Sequence, residues 1–235
     1  MKIAIVIAGE PRFSKQMDNF IDSLQGVDSV DWYFYLWRES YIKHERMQVP
    51  PNWVKIPSRE WAMETIQSNL PAGHQVVDLA IGDQQSVVGE FDSDWVGYKQ
   101  FYSLHQADVL RRNSGIEYDL VVRGRVDLDM VHTVNLPEIK TYIDQDPTII
   151  FIPSNNCHGP YAINDQLAIS RPENIALYTD LILHIKKYNS ENGIPVHQES
   201  QMGHHLTSNG INIQRSIHVG ELRDPNKTVG FGRWD

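Results

Sequence analysis

Short apolar runs alternate with segments of helical periodicity along most of the chain. Residues 2–8 form a continuous apolar run rich in β-branched residues, which is typical of a parallel strand buried on both faces. A turn at residues 9–12 follows, and then a helix is predicted from Ser14 to about residue 24 and a second strand over residues 30–37. This order of strand, helix and strand predicts a βαβ unit and therefore an α/β fold with an open sheet.

The same patterns continue towards the C-terminus. Ser58 is expected to cap a helix, and Gly115 to end one as the residue after its last turn. Residues 38–57 and 82–94 are interpreted as loops. The sequence predicts one domain over residues 1–219 and a C-terminal tail or lid over residues 220–235. The remaining predicted elements are helices at residues 58–69, 95–113, 173–188 and 198–209, and strands at residues 75–81, 118–123, 148–153 and 211–219.

Charge and cysteine content narrow the classes of function and location. The formal net charge is −9, which argues against nonspecific nucleic-acid binding because such affinity comes mainly from Lys and Arg at phosphates. Cys157 is the only cysteine, so no intrachain disulfide is expected and a reducing compartment is favoured. The first apolar run is too short for a signal sequence or a membrane span. We therefore expect a cytoplasmic protein with no integral membrane segment.

The segment YDLVVRGRVDLD, residues 118–129, carries the clearest chemical signal. A buried strand leads directly into Asp127 and Asp129, here called the acidic pair, and Arg123 and Arg125 precede them. Ligands of open α/β sheets bind beyond the carboxyl ends of strands, and carboxylates placed there can hold Mn²⁺ or Mg²⁺ beside a phosphate. The two arginines could neutralise that phosphate. The alternative is a surface turn with ion pairs, because Asp-x-Asp often occurs by chance.

Four segments in order resemble GT-A-type nucleotide-diphospho-sugar glycosyltransferases, particularly bacterial and viral polysaccharide-type enzymes. They are IAGEPR, VDWYFYLW, FYSLHQADVL leading into YDLVVRGRVDLD, and INDQLAIS, and the similarity spans about residues 1–210. The resemblance implies a single-domain GT-A-like (Rossmann-like) open mixed sheet flanked by helices. It also implies transfer of a sugar from a nucleoside-diphosphate sugar donor to a hydroxyl acceptor, such as a glycan or polysaccharide, with Mn²⁺ or Mg²⁺ as cofactor.

The resemblance places part of the nucleotide-sugar site at the ends of the first two strands. It implies that Ala8, Gly9 and Arg12 lie beside the nucleotide, where Gly9 would allow close backbone approach. The alternative for these residues is an ordinary turn between strand and helix. Trp37 could stack on a base or sugar, or it could pack in the core.

The rest of the donor site is implied around the acidic pair. Arg123, Arg125 and Asp127 would contact the nucleotide-sugar. Asp127 is matched more regularly than Asp129 in similar enzymes and is the expected metal or ribose contact. Asp127 and Asp129 would bind the metal. His218, at the end of the last predicted strand, could be a third metal ligand.

An inverting transferase needs one carboxylate to deprotonate the acceptor hydroxyl. The resemblance makes Glu199 and Asp165 the candidates for this base, and a retaining reaction is also open. Asp165 could instead be a turn or N-cap residue, and Glu199 could be a first-turn acid favoured by the helix dipole.

Two other classes of function are also compatible with the sequence. A noncatalytic nucleotide-sugar or glycan binding module could share the fold, because a fold does not fix a function. A metal-dependent phosphohydrolase or nucleotidyltransferase would release phosphate or pyrophosphate without sugar transfer.

Overall fold

The computed structural model describes residues 1–11, 15–27, 29–38, 55–88, 96–125, 128, 130–155, 163–194 and 197–217. Most of the predicted elements are present, with ends that differ by at most two residues. Within these ranges the chain forms, in order, β1 (Ile3–Gly9), α1 (Lys15–Ser23), β2 (Leu24–Gln25), β3 (Val30–Trp37), α2 (Arg59–Asn69), β4 (His74–Gly82), α3 (Gln84–Val88), α4 (Val96–Asn113), β5 (Leu120–Gly124), β6 (Val134–Asn135), α5 (Leu136–Gln145), β7 (Ile149–Pro153), β8 (Ala168–Ser170), α6 (Pro172–Thr179), a 3-10 helix (Asp180–Leu183), α7 (Ile185–Asn192), α8 (Gln198–Ser208) and β9 (Asn212–Ile217).

A mixed open sheet forms the centre of the molecule. Among the described residues its strand order is β4-β3-β1-β5-β8-β7-β9, and β2 and β6 form a separate two-stranded ladder. The pairs β4–β3, β3–β1, β1–β5 and β7–β9 are parallel, whereas β8 runs antiparallel to both of its neighbours. The predicted α/β class and open mixed sheet are therefore confirmed. The carboxyl ends of β4, β3, β1 and β5 lie along one edge.

Side chains that alternate along β1 build two cores, one on each face of the sheet. Ile5 and Ile7 pack in a cluster with Phe20 of α1 and residues of α2 and α5. Val6 packs on the opposite face in a cluster with Phe101 of α4 and residues of α6, α7 and α8. Because helices cover both faces, the strand is apolar at nearly every position, which is the pattern that the sequence shows.

Local capping explains why two of the predicted helix ends are correct. The Ser58 hydroxyl accepts a hydrogen bond from the backbone N–H of Trp61 at 3.1 Å, which satisfies one free donor at the start of α2. Gly115 follows α4 with φ of +67°, a left-handed conformation that glycine adopts without steric cost.

Three parts of the predicted element map are wrong. The single helix predicted over residues 173–188 is divided by the 3-10 helix into α6 and α7. The predicted loop at residues 82–94 contains the end of β4 and α3. The sequence predicts no strand at the positions of β2, β6 and β8 and no helix at the position of α5.

Candidate functional site

The ends of β1 and β5 meet at the carboxyl edge of the sheet. Gly9 lies opposite Leu36 of β3, and Ile7 lies opposite Gly124 of β5. Gly9 has a backbone φ of +121°, a value that residues with a Cβ rarely adopt. A Cβ added there would meet no atom of the described residues within 4 Å, so the described part of the chain leaves the space beside this backbone open. The backbone at Gly9 is therefore a position that a ligand can approach closely, whereas the Ala8 side chain is partly buried and packs against the core.

Several contacts anchor the chain around the acidic pair. Leu128, between the two aspartates, is fully buried, and its N–H donates to the Arg125 carbonyl at 3.3 Å. The N–H of Met130 donates to the Asn19 side chain of α1 at 2.6 Å. Leu128 and Met130, on either side of Asp129 in the sequence, therefore belong to the packed core.

Arg123 is a buried cation at the end of β5. Only 2% of it is exposed, and its guanidinium donates to the backbone carbonyl of Asp165. The Tyr178 hydroxyl donates to the same carbonyl at 3.1 Å, and the guanidinium carbon lies 6.0 Å from the Tyr178 ring centre. Burial of a charge is costly unless hydrogen bonds compensate it, so these contacts fix where Arg123 can lie.

The antiparallel strand β8 brings Asp165 to the same place. Ala168 of β8 pairs with Arg123, so the residues just before β8 lie beyond the carboxyl end of β5. The Asp165 carboxylate is buried and accepts a hydrogen bond from Gln100 of α4 at 2.5 Å. Arg123 and Asp165 are 42 residues apart in the sequence, and the fold brings them into contact.

Glu199, in the first turn of α8, completes this group of charges. Burial is the main cause that raises the pKa of the Tyr178 phenol. Arg123 lowers that pKa, whereas Asp165 and Glu199 raise it, so all three charges act on one hydroxyl. We name the buried residues Arg123, Asp165 and Tyr178, together with the partly buried Glu199, the buried polar cluster. It unites three residues that the sequence predicted for two different roles.

Gln201 is a functional candidate that the sequence did not indicate. It is fully buried, and neither atom of its amide has a hydrogen-bond partner within the described part of the chain. His205 lies one turn later on the same helix face and contacts the Leu177 carbonyl of α6 at 2.8 Å, which places Gln201 on the side of α8 that faces α6. The Arg123 Nε likewise has no hydrogen-bond partner among the residues that the structure describes. Unpaired buried groups are costly, so these atoms suit the hydroxyls of a ligand or an ordered water.

Trp37 lies at the end of β3 in an aromatic cluster. Its ring is buried and stacks on Tyr102 of α4, with ring centres 6.2 Å apart and planes at 18°. The Tyr35 ring lies edge-on to the Trp37 ring, with the ring centres 5.3 Å apart. Core packing is therefore its arrangement here, and contact with a base or sugar stays a prediction.

The structure does not test several predicted positions. Ala8, Gly9, Trp37, Arg123, Arg125, Asp165 and Glu199 are described, and Arg125 is partly buried directly after β5. Among the described residues no group of three or more His, Cys, Asp or Glu could hold a metal. The predicted metal ligands and one predicted nucleotide contact lie outside the described residues: Arg12, Asp127, Asp129 and His218.

Comparison with known proteins does not assign the chain to a family. No protein-family model and no curated protein matches it. In the ranges that the structure describes, no helix has the length and apolar character needed to cross a membrane. The glycosyltransferase resemblance therefore enters the functional argument as a proposal.

Proposed function

We propose that this protein is a GT-A-like glycosyltransferase that moves a sugar from a nucleoside-diphosphate sugar to a hydroxyl group of a glycan. One observation carries the proposal. The open end of β1 and the buried polar cluster lie at the same carboxyl edge of the sheet, where β5 leads into the acidic pair. A donor site and candidate catalytic carboxylates would then be adjacent, as sugar transfer requires.

The donor would bind at the junction of β1 and β5. Open space at Gly9 supports close approach of a nucleotide to the backbone. The carboxylates of the acidic pair, with the imidazole of His218, are a donor set that suits Mn²⁺ or Mg²⁺. Bound there, the cation would supply positive charge beside the diphosphate. Arg12 and Arg125 would assist with direct contacts to phosphate oxygens.

The buried polar cluster would act on the acceptor and the sugar. In an inverting transfer the acceptor oxygen bonds to the anomeric carbon, the bond from that carbon to the diphosphate breaks, and a carboxylate accepts the hydroxyl proton. Glu199 and Asp165 are the two candidates. The hydrogen bond from Gln100 fixes the position of the Asp165 carboxyl group. The unpartnered amide of Gln201 would be available to sugar hydroxyls.

The test is turnover with a panel of donors. UDP-, GDP-, CMP- and dTDP-linked sugars are incubated with Mn²⁺ and a mixed glycan acceptor, and products are followed by mass spectrometry. We expect Glu199→Gln or Asp165→Asn to lower kcat by about 10²- to 10⁴-fold, because a positioned base contributes that much, with donor KM nearly unchanged. Glu173→Gln is the matched control, since Glu173 is an exposed first-turn acid of α6.

Other outcomes would support the other classes of function. Donor binding without turnover would indicate a binding module, and phosphate release without a glycosylated product would indicate a phosphohydrolase. Wild-type kcat in both carboxamide variants would remove Glu199 and Asp165 as bases.

A further inference from the structure

A cavity that includes no residue of the buried polar cluster lies between α5 and the sheet edge formed by β7 and β9. Its volume is about 520 Å³, within the range of about 300 to 1,000 Å³ that is typical of small-ligand sites. Its walls come from α5, from β7 and β9, and from the segment that follows Met130. Polar and aromatic side chains in its wall include those of His132, Asn135, Glu138, Tyr142, Phe151 and Gln214.

One wall of the cavity is aromatic and open to solvent. Tyr142 of α5 is 48% exposed, and its ring lies 6.2 Å from that of Phe151, with the planes tilted by 53°. Ile149 of β7 adds apolar surface beside them. An exposed aromatic face next to an apolar floor suits a ligand that has one apolar face, such as the C–H face of a pyranose ring.

The polar atoms of the cavity suit hydroxyl groups. The side-chain oxygen of Asn135 caps α5 by accepting from the Glu138 N–H at 3.2 Å, and its NH₂ group adds a hydrogen-bond donor to the residues that line the cavity. The NH₂ group of Gln214 donates to Asn212 at 3.2 Å, which leaves its carbonyl oxygen as an acceptor. With the Glu138 carboxylate, these groups combine donors and acceptors, as recognition of neighbouring hydroxyls requires.

Charge restricts the ligand further. The described residues that line the cavity include Glu138 but no Lys or Arg. Phosphates and carboxylates are recognised mainly by such cations, and the whole chain carries a net charge of −9. The cavity therefore disfavours nucleotides, uronic acids and nucleic acids.

We propose that this cavity binds neutral hexose units of a glycan. Its role as the place where the acceptor chain is held rests on the proposed transferase function. The location is suitable, because His132 in its wall follows two residues after Met130, and Met130 directly follows the acidic pair in the sequence.

The test uses the full chain and defined trisaccharides. Maltotriose, cellotriose and mannotriose serve as neutral probes, and trigalacturonate serves as the charged probe, with binding measured by saturation-transfer NMR and titration calorimetry. We expect at least one neutral probe to bind, and trigalacturonate to bind at least tenfold more weakly or not at all. Tyr142→Ala should weaken the neutral probe at least tenfold. Leu183→Ala, at a 65% exposed position of the 3-10 helix, should leave affinity unchanged.

The failures of the two proposals are distinguishable. Lack of binding by all three neutral probes, or equal affinity in wild type and Tyr142→Ala, would overturn the cavity proposal whatever the donor experiments show. Nucleotide-sugar binding is measured in the same proteins, and Tyr142→Ala should retain it. Glycan binding that depends on Tyr142, without turnover of any donor, would keep the cavity proposal and overturn the transferase.

Discussion

His205 is buried in α8 against α6 and α7. Its Nε2 lies 2.8 Å from the Leu177 carbonyl, so this nitrogen carries the proton, and the Tyr188 hydroxyl donates to Nδ1 at 2.6 Å. Burial is the main cause that lowers the pKa of His205 from 6.5 to about 4. The neighbouring His184 and His204 lower it further, whereas the Leu177 carbonyl and Asp180 oppose the shift. The folded protein therefore holds a neutral imidazole at this position.

We predict that His205 makes stability depend on pH between about 6.5 and 4. In this window the unfolded chain takes up a proton that the folded chain excludes, so stability is present above pH 6.5 and falls as the pH drops towards 4. A shift of this size corresponds to at most about 3 kcal/mol. Urea unfolding at pH 7.5, 5.5 and 4.5 measures it.

The variant His205→Gln should show a shallower loss of stability with falling pH, whatever its stability at pH 7.5. His197→Gln, at an exposed position before α8, should keep the wild-type slope. Equal slopes in wild type and His205→Gln would contradict the account.

Individual site residues were predictable only as far as local sequence defines them. Arg123 and Asp165 were found as candidates because each lies in a recognisable segment. Their direct contact was not predictable, since it depends on the antiparallel pairing of the three-residue strand β8 with β5. Gln201 gave no signal, because a glutamine inside a helix is ordinary and only tertiary burial makes its unpartnered amide informative.

At the scale of elements, a buried ion network joins α4 to the helices around residue 180. Asp108 is fully buried and accepts from Arg111 at 2.6 Å and from the Thr179 hydroxyl at 3.0 Å. Arg112 contacts Asp108 at 3.1 Å and Asp180 at 2.9 Å. These contacts fix α4 against the end of α6 and the start of the 3-10 helix.

We predict that Asp108→Ala destabilises the fold by about 3 to 5 kcal/mol, because it leaves the buried Arg111 without its carboxylate. The matched control is Asp144→Ala in α5, which removes the partner of Lys140 in an exposed pair spaced i, i+4. That change should cost at most about 0.5 kcal/mol. Chemical denaturation of the two variants and wild type compares them, and similar losses in both would contradict the role of the network.

The same network explains the wrong prediction over residues 173–188. Helical periodicity continues through Asp180, yet the chain changes to a 3-10 helix where Asp180 bonds to α4. The sequence of α5, in contrast, carries the usual signals of a helix. Asn135 is an N-cap, Pro137 lies in the first turn, and Leu136, Ile139 and Ile143 are buried at helical spacing.

At the scale of the whole molecule, the continuous apolar strands predicted an open sheet with both faces covered. That prediction needs only strand composition and the order of elements. The strand order beyond β5 was not predictable, because β8 is three residues long and inserts between β5 and β7. This insertion bears on the proposed function, since it brings Asp165 next to Arg123 at the edge where β1 and β5 end.

The central claim is that the acidic pair, following β5, holds a divalent cation together with a diphosphate. Calorimetric titration of the full chain with UDP, GDP, CDP and dTDP, with and without Mn²⁺, measures this directly in wild type and Asp127→Ala. Asp144→Ala serves as the control carboxylate. We predict that one nucleoside diphosphate binds at least tenfold more tightly with Mn²⁺, that Asp127→Ala abolishes this gain, and that the control retains it. Mn²⁺-dependent binding that is unchanged in Asp127→Ala, or no binding of any nucleoside diphosphate by the wild type, would contradict the account.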